Sequence, residues 1–196
     1  MTETETTRGV RFGRTVVHAA AGDLVDQPVQ AIVYAANTRG VMGAGPAGSV
    51  RLVGGPDIER EAMEAAPFDL GTAIVTGSGR LTERGIEAVI HAVVAPLLGE
   101  PAELAEVRRA LAAALRAADA RRFHSLALPL LGLRSDATPG ERADTVDAIV
   151  DEFVAHIRRG GSRLETVILV TRFEDDLAII VDSLTRARQR SWTNPT

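Results

Sequence analysis

Apolar residues follow two rhythms along this 196-residue chain, and the rhythms alternate. Gln30–Ala36, Gly71–Gly77, Ile86–Ala92, Ser125–Leu131 and Thr166–Val170 are short, nearly continuous apolar runs, the signature of strands covered on both faces. Arg11–Ala19, with Phe12, Val16 and Val17, reads as a strand before them. The intervening segments have helical spacing instead. Gly48–Val53 and Ile58–Ala65 read as short helices broken by Gly54-Gly55-Pro56, with Pro56 suited to open the second. Glu103–Ala118 places Leu104, Val107, Leu111 and Leu115 on one stripe. Thr138-Pro139-Gly140-Glu141 is a capping box with proline at the first helical position. The helix it opens carries Val146, Ile149, Val150, Phe153, Val154 and Ile157 before Gly160-Gly161 stops it. Asp175–Arg188 aligns Leu177, Ile180, Val181 and Leu184. Strands alternating with helices predict a three-layer α/β/α sandwich around a central mixed, largely parallel six-stranded sheet. One domain over 10–190 is expected, with tails at 1–9 and 191–196 and no internal repeat.

Composition narrows the chemistry. There is no cysteine, which excludes disulfides, thiolate nucleophiles and thiolate-held metals. His18, His124 and His156 have no metal-ligand spacing, so neither a metal nor a cofactor is expected. A net charge of −4 argues against nucleic-acid binding through a broad basic surface but leaves a local basic pocket open. No apolar run approaches the roughly 20 residues of a membrane span. Met1–Arg8 lacks the apolar core of a signal peptide, and a cytoplasmic setting is the expectation. Nothing in the sequence bears on oligomeric state.

The informative juxtaposition is Ala31-Ile32-Val33-Tyr34-Ala35-Ala36-Asn37 followed by Gly43-Ala44-Gly45-Pro46-Ala47-Gly48. A buried strand delivers a polar amide to a loop of small residues and then to a helix start. Exposed backbone N–H groups and the helix dipole make such a place an anion site, so a ligand bearing phosphates is expected. Ligands of open α/β sheets bind beyond the carboxyl ends of the strands. Four segments follow strands and should converge there: Gly22-Asp23-Leu24, Asn37 to Gly48, Gly132-Leu133-Arg134, and Arg172-Phe173.

Together these pieces resemble the macro domain family, the ADP-ribose-binding fold, over Val10 to Leu184. Gly22-Asp23-Leu24 is similar to the family's Gly-Asp-Ile/Leu, and Val33-Tyr34-Ala35-Ala36-Asn37 to its Val-Asn-Ala-Ala-Asn. Gly43–Gly48 stands for its glycine-rich loop, Gly71-Thr72-Ala73 with Thr76 for Gly-x-Ala…Thr, and Ile90-His91-Ala92-Val93 with Pro96 for Ile-His-x-Val-x-Pro. No piece is specific alone; five in order carry the resemblance.

The resemblance implies roles. Asp23 would accept the exocyclic N–H of adenine beside the Leu24 backbone N–H; alone, the pair reads as a turn and cap. Asn37, whose amide both donates and accepts, would meet the distal ribose near the scissile bond and serve as the catalytic residue; alone, it reads as an Asx turn. The backbone of Gly43, Ala44, Gly45, Ala47 and Gly48 would wrap the diphosphate and distal ribose. Gly132, Leu133 and Arg134 would form the second phosphate loop. Phe173 would stack on adenine, with corner packing as the alternative. Three departures matter. Pro46 removes one N–H donor, and Ala47 stands where several hydrolases of the family have aspartate, although some viral members with alanine still hydrolyse mono-ADP-ribose. The loop Gly132-Leu133-Arg134-Ser135-Asp136 lacks the second glycine and the ribose-facing aromatic. Arg134 reads either as a solvated arginine or as a guanidinium for the diphosphate, and Asp136 either as a turn residue before the helix capped by Thr138 or as a substitute carboxylate for catalysis. His91 is expected to be a hydrogen-bonded structural residue, and Glu59, Glu61 and Glu64 with Arg60 a solvated helix face. The function implied is ADP-ribose binding, with ester hydrolysis at the distal ribose of an ADP-ribosylated macromolecule. The alternatives are a non-catalytic reader and a module for another nucleotide.

Overall fold

The structure is a computed structural model that describes residues 9–193. Of the expected tails, residues 1–8 and 194–196 lie outside the described residues. The elements run β1 (Val10–Phe12), β2 (Thr15–Ala21), β3 (Ala31–Asn37), α1 (Pro46–Gly54), α2 (Asp57–Ala65), β4 (Ala73–Gly77), β5 (Ala88–Ala95), α3 (Leu104–Ala120), β6 (Ser125–Pro129), α4 (Pro139–Arg158), β7 (Thr166–Thr171) and α5 (Glu174–Thr193). Single 3₁₀ segments at Leu24–Asp26 and Gly79–Arg84 join β2 to β3 and β4 to β5. The strands form one sheet in the order β1-β2-β7-β6-β3-β5-β4. Its five central strands are parallel, and β1 and β4 are antiparallel edges.

The sheet has seven strands rather than six. The run Arg11–Ala19 is two strands folded at Gly13-Arg14, where Gly13 takes φ 56°. The polar Arg14 interrupting that run marks the turn. The last helix extends to Thr193, past the Arg188 at which its apolar stripe was read to end.

Alternation along the buried strands divides the core. Val17, Ala19, Val33, Ile90, Leu126, Leu128, Val167 and Leu169 face α3, α4 and α5. Ile32, Tyr34, Val89, Ala127 and Ile168 face α1, α2 and the two 3₁₀ segments. The capping box forms as expected. Thr138 Oγ1 accepts from the Glu141 N–H at 3.3 Å, and the Glu141 carboxylate accepts from the Thr138 N–H at 2.7 Å. Such a cap contributes about 1 kcal/mol and fixes the direction in which the chain leaves the preceding loop.

The loop after β3 leads to α1 on one face of the sheet, and the loop after β6 leads to α4 on the other. β3 and β6 are neighbours, so the chain parts there and opens a crevice above their carboxyl ends.

Candidate functional site

The crevice consists of two adjoining cavities. One, of about 400 Å³, is lined among others by Gly22, Leu24, Gly45, Thr171, Arg172 and Phe173. The other, of about 360 Å³, is lined by Asn37, Ala47, Ala95, Leu98, Glu100 and Gly132 among others. Ala44, Pro46, Pro129, Leu130, Leu133 and Arg134 line both, so they form the waist of one elongated cleft. The four segments expected to converge do so. Met42 is buried rather than lodged in the cleft, and Leu133 walls the waist without filling it.

One wall of the waist is backbone. Among the described residues, the N–H groups of Gly43, Ala44 and Gly45 make no hydrogen bond. Gly45 caps α1 with φ 68° and ψ −142°, a conformation open to glycine and poor for other residues. Pro46 occupies the first turn, and Ser49 is the first residue whose N–H bonds back, to the Gly45 carbonyl at 3.1 Å. The Ala47 and Gly48 N–H groups therefore lack an intrahelical acceptor and lie at the positive end of the helix dipole. Gly43 sits beneath Leu98: a Cβ there would lie 2.4 Å from Leu98 Cδ1. The loop is braced from below by Glu59, whose carboxylate accepts from the Met42 N–H at 2.7 Å and pairs with Arg51 at 3.1 Å. Glu61 accepts from the Gly77 N–H at 3.0 Å. The solvated face expected over α2 is thus corrected at Glu59 alone. Arg60, Glu61 and Glu64 remain exposed, as a solvated face requires, whereas Glu59 is drawn in beneath the loop.

Asp23 caps the 3₁₀ segment that follows β2. Its Oδ2 accepts from Arg172 at 2.7 Å and from Ser49 Oγ at 2.8 Å, while Oδ1 has only a long 3.4 Å contact with the Val25 N–H. One carboxylate oxygen is fully used and the other retains an acceptor position. Asn37 is buried at the tip of β3. Its Nδ2 donates to the Val41 carbonyl at 2.7 Å, and its Oδ1 accepts from the Arg39 N–H at 3.1 Å. It makes the turn-stabilising bonds of an Asx residue and also lines the distal cavity. One amide hydrogen and one lone pair remain for a ligand.

The opposite wall is the loop after β6. Gly132 has φ 74°, and a Cβ there would meet Val107 Cγ2 at 2.7 Å. Arg134 is exposed and pairs with Asp136, Nε to Oδ1 at 2.9 Å. Arg142, which the sequence reading did not single out, holds this loop. Its Nη2 donates to the Ser135 carbonyl at 2.9 Å and its Nε to the Ala137 carbonyl at 3.2 Å. Its Nη1 meets both oxygens of Asp176, at 3.0 and 3.1 Å. The guanidinium also lies 5.2 Å from the centre of the half-exposed Phe173 ring. Asp176 is 1% exposed and also accepts from Thr171 Oγ1 at 2.9 Å. A signal for this pair was present. Arg142 lies four residues before Val146, and Asp176 four before Ile180, so each continues an apolar stripe by one turn.

His91 belongs to the frame beneath the cleft. Thr76 spends its hydroxyl proton on the Gly77 carbonyl at 3.0 Å, so its oxygen accepts from His91 Nε2 at 2.8 Å. Nδ1 then carries no proton and accepts from the Tyr34 hydroxyl at 2.7 Å. Burial pulls the His91 pKa from 6.5 down to about 4 and pushes that of Tyr34 up, with the Glu59 charge adding to the latter. Between pH 6.5 and 4 the unfolded chain binds the proton that the folded chain refuses. The contribution of His91 is therefore complete above pH 6.5 and declines as the pH falls toward 4, by about 3 kcal/mol in total. The expected NMR result is an imidazole signal that does not move on acidification to pH 5, where a free histidine of pKa about 6.5 has titrated.

Comparison with known proteins gives this geometry its context. A family model described as Macro domain matches residues 33–146. An uncharacterized protein of Aquifex aeolicus is 37% identical over 155 residues, 79% of this chain and 88% of its own length. A macro domain-containing protein of Caldanaerobacter subterraneus is 35% identical over 62% of this chain and 71% of its own length. The chain spans 62% of an Aeropyrum pernix relative and only 34% of one from Mycobacterium tuberculosis. Among solved structures, an Oceanobacillus iheyensis macrodomain variant with ADPR superposes with a TM-score of 0.80 at 16% identity, covering 94% of this chain and all of the other. A Trypanosoma brucei macrodomain in complex with ADP-ribose gives 0.72 at 22% identity, over 85% of this chain and 68% of that one. With the family match covering more than half its length and the parted loops above a mixed sheet, this chain belongs to the macro domain family.

Proposed function

We propose that the cleft binds ADP-ribose. The observation that carries this reading is the cleft's form: two cavities joined at a waist bordered by the loop whose Ala44 and Gly45 N–H groups make no hydrogen bond. A nucleoside fits one end, a second ribose fits the other, and the diphosphate between them meets amides of Gly43–Gly48 at the start of α1. Adenine lies between the Phe173 ring and Leu24, with its amino group on Asp23 Oδ1 and a ring nitrogen on the Leu24 N–H. The distal ribose takes the remaining amide capacity of Asn37. Across the waist, Gly132 and Leu133 close on the diphosphate, and Arg134 can swing from Asp136 to meet it. Macrodomains of similar fold with ADP-ribose bound support the reading.

In this proposal the chain also releases ADP-ribose from a modified macromolecule in the cytoplasm. Water adds across the ester joining the distal ribose to its acceptor, yielding ADP-ribose and the acceptor's carboxyl group. Asn37 orients the ribose, and the ligand's own diphosphate takes the proton of the attacking water and returns it to the departing ribose oxygen. A reader without turnover is the second reading, favoured by Ala47, which supplies no base at the distal end. Incubation with an ADP-ribosylated protein separates the two: free ADP-ribose accumulates for an eraser and stays at background for a reader. Asn37→Ala is expected to weaken ADP-ribose binding about tenfold by calorimetry, the loss of one or two hydrogen bonds. Unchanged affinity and turnover would remove Asn37 from the site.

A further inference from the structure

The pole of the molecule opposite the cleft is basic, although the chain as a whole is acidic. Three connections meet there: the β1–β2 turn, the α3–β6 loop and the α4–β7 loop. They are knotted together. Asp119 at the end of α3 accepts from His156 of α4 at 2.7 Å, from Ser162 Oγ at 2.9 Å and from the Arg163 N–H at 3.1 Å. Glu165 pairs with Arg14 at 3.0 Å and approaches His124 at 3.4 Å. Glu152 pairs with Arg159 at 3.3 Å and Arg108 at 3.8 Å. The carboxylates of Asp119, Glu152 and Glu165 beside these connections are therefore engaged, while Glu87 at the neighbouring start of β5 takes only a hydrogen bond from Gln30. Arg11, Arg121, Arg122, Arg158 and Arg163 are exposed and make no ion pair among the described residues.

Two observations distinguish this cluster from ordinary surface charge. Cations at helix ends complement the macrodipole, which accounts for Arg121 and Arg158. It does not account for Arg11 on a strand or Arg163 in a loop. Arg122 goes further. It sits just past α3 with φ 60°, the only non-glycine residue in positive φ among the described residues. The corresponding position after α4 is Gly160, at φ 77°. A left-handed residue closing a helix is ordinarily glycine. An arginine there accepts backbone strain to keep a guanidinium on this face.

From this we infer that the arginine pole binds the phosphates of a nucleic-acid strand, independently of base sequence. Forked guanidiniums bind phosphate oxygens two at a time, and five of them on or beside adjoining connections suit an extended polyanion. A membrane surface fits less well, since the large exposed apolar residues, such as Leu52, Leu98 and Phe173, lie on other elements than these three connections. The net charge of −4 is compatible with this, because the charge is segregated rather than spread. The inference rests on no reading of the cleft, which stays open at the far end.

The test is fluorescence anisotropy with labelled mixed-sequence duplex DNA, single-stranded DNA and single-stranded RNA in about 50 mM salt, followed by a salt titration. Wild type is expected to bind at least one of them, with a log–log salt slope of about −4.5 on duplex or −3.5 on a single strand. The tightest arm identifies the nucleic acid. Arg121→Glu/Arg122→Glu is expected to weaken binding about tenfold or more. Arg122→Gly is the decisive variant, because it removes the charge and relieves the strain. It should raise the melting temperature by about 2 °C while reducing the slope by about 1. No binding to any of the three, equal binding to poly-glutamate, or an Arg122→Gly protein that is more stable and binds unchanged would each overturn the assignment.

Discussion

Arg142→Ala is expected to destabilise the fold by about 3 kcal/mol, lowering the melting temperature by roughly 6–12 °C. Arg142 and Asp176 are paired where their side chains are 16% and 2% exposed, so removing the cation strands a carboxylate that water cannot reach. Thr171 Oγ1 still donates to Asp176 and limits the loss. The same guanidinium donates to the Ser135 and Ala137 carbonyls, so it also ties the loop after β6 to α5. Arg142→Lys separates these effects. A lysine retains the charge for Asp176, but its single ammonium cannot reproduce a planar fork that reaches three acceptors. Its stability should fall by about half as much, while hydrogen exchange at the Leu133 and Ala137 amides should rise about tenfold relative to β6. These amides bond within the loop, to the Leu130 and Arg134 carbonyls, and therefore report its closure without any ligand. A lysine variant with wild-type exchange at both amides would show that Arg142 is only a core ion pair.

Asp23→Ala is expected to weaken ADP-ribose binding by about 10- to 100-fold, the range for a lost hydrogen bond to a charged acceptor in a closed site. The larger change is in selectivity. Wild type should prefer an adenine ligand to its hypoxanthine counterpart, since Oδ1 accepts from an amino group and repels a carbonyl oxygen. Asp23→Ala should bring the two affinities within about threefold of each other. Arg172 and Ser49 hold Oδ2, so they fix which oxygen faces the base. Arg172→Ala should accordingly erode selectivity while leaving most of the affinity. Competition calorimetry with the two ligands measures both quantities. Unchanged selectivity in Asp23→Ala would place the base elsewhere.

Much of this architecture was legible in residue order. Continuous apolar runs mark β3, β5, β6 and β7 because both faces of each strand are covered. Thr138-Pro139-Gly140-Glu141 marks the start of α4 because a capping box is local and needs no tertiary partner. The segments bounding the cleft were also legible, since ligand loops of such a sheet follow its strand tips. What stayed hidden depends on distant pairings. β1 merged with β2 in the sequence because two apolar stretches flank a turn of only Gly13-Arg14. Glu59 looked solvated because nothing nearby in sequence announces the Met42 amide that it accepts from. Arg142 and Asp176 are 34 residues apart, and each alone resembles a surface charge. The Arg172 contact with Asp23 crosses 149 residues.

A titration of ¹⁵N-labelled protein with ADP-ribose goes to the heart of the account, because it watches backbone N–H groups one by one. Saturable shifts concentrated at Ala44, Gly45, Ala47, Gly48 and Leu133 are expected, with a micromolar midpoint equivalent to about −8 kcal/mol. Amides of Gly43–Gly48 that stay unmoved at millimolar ligand, or that move no more than those of α3, would contradict it.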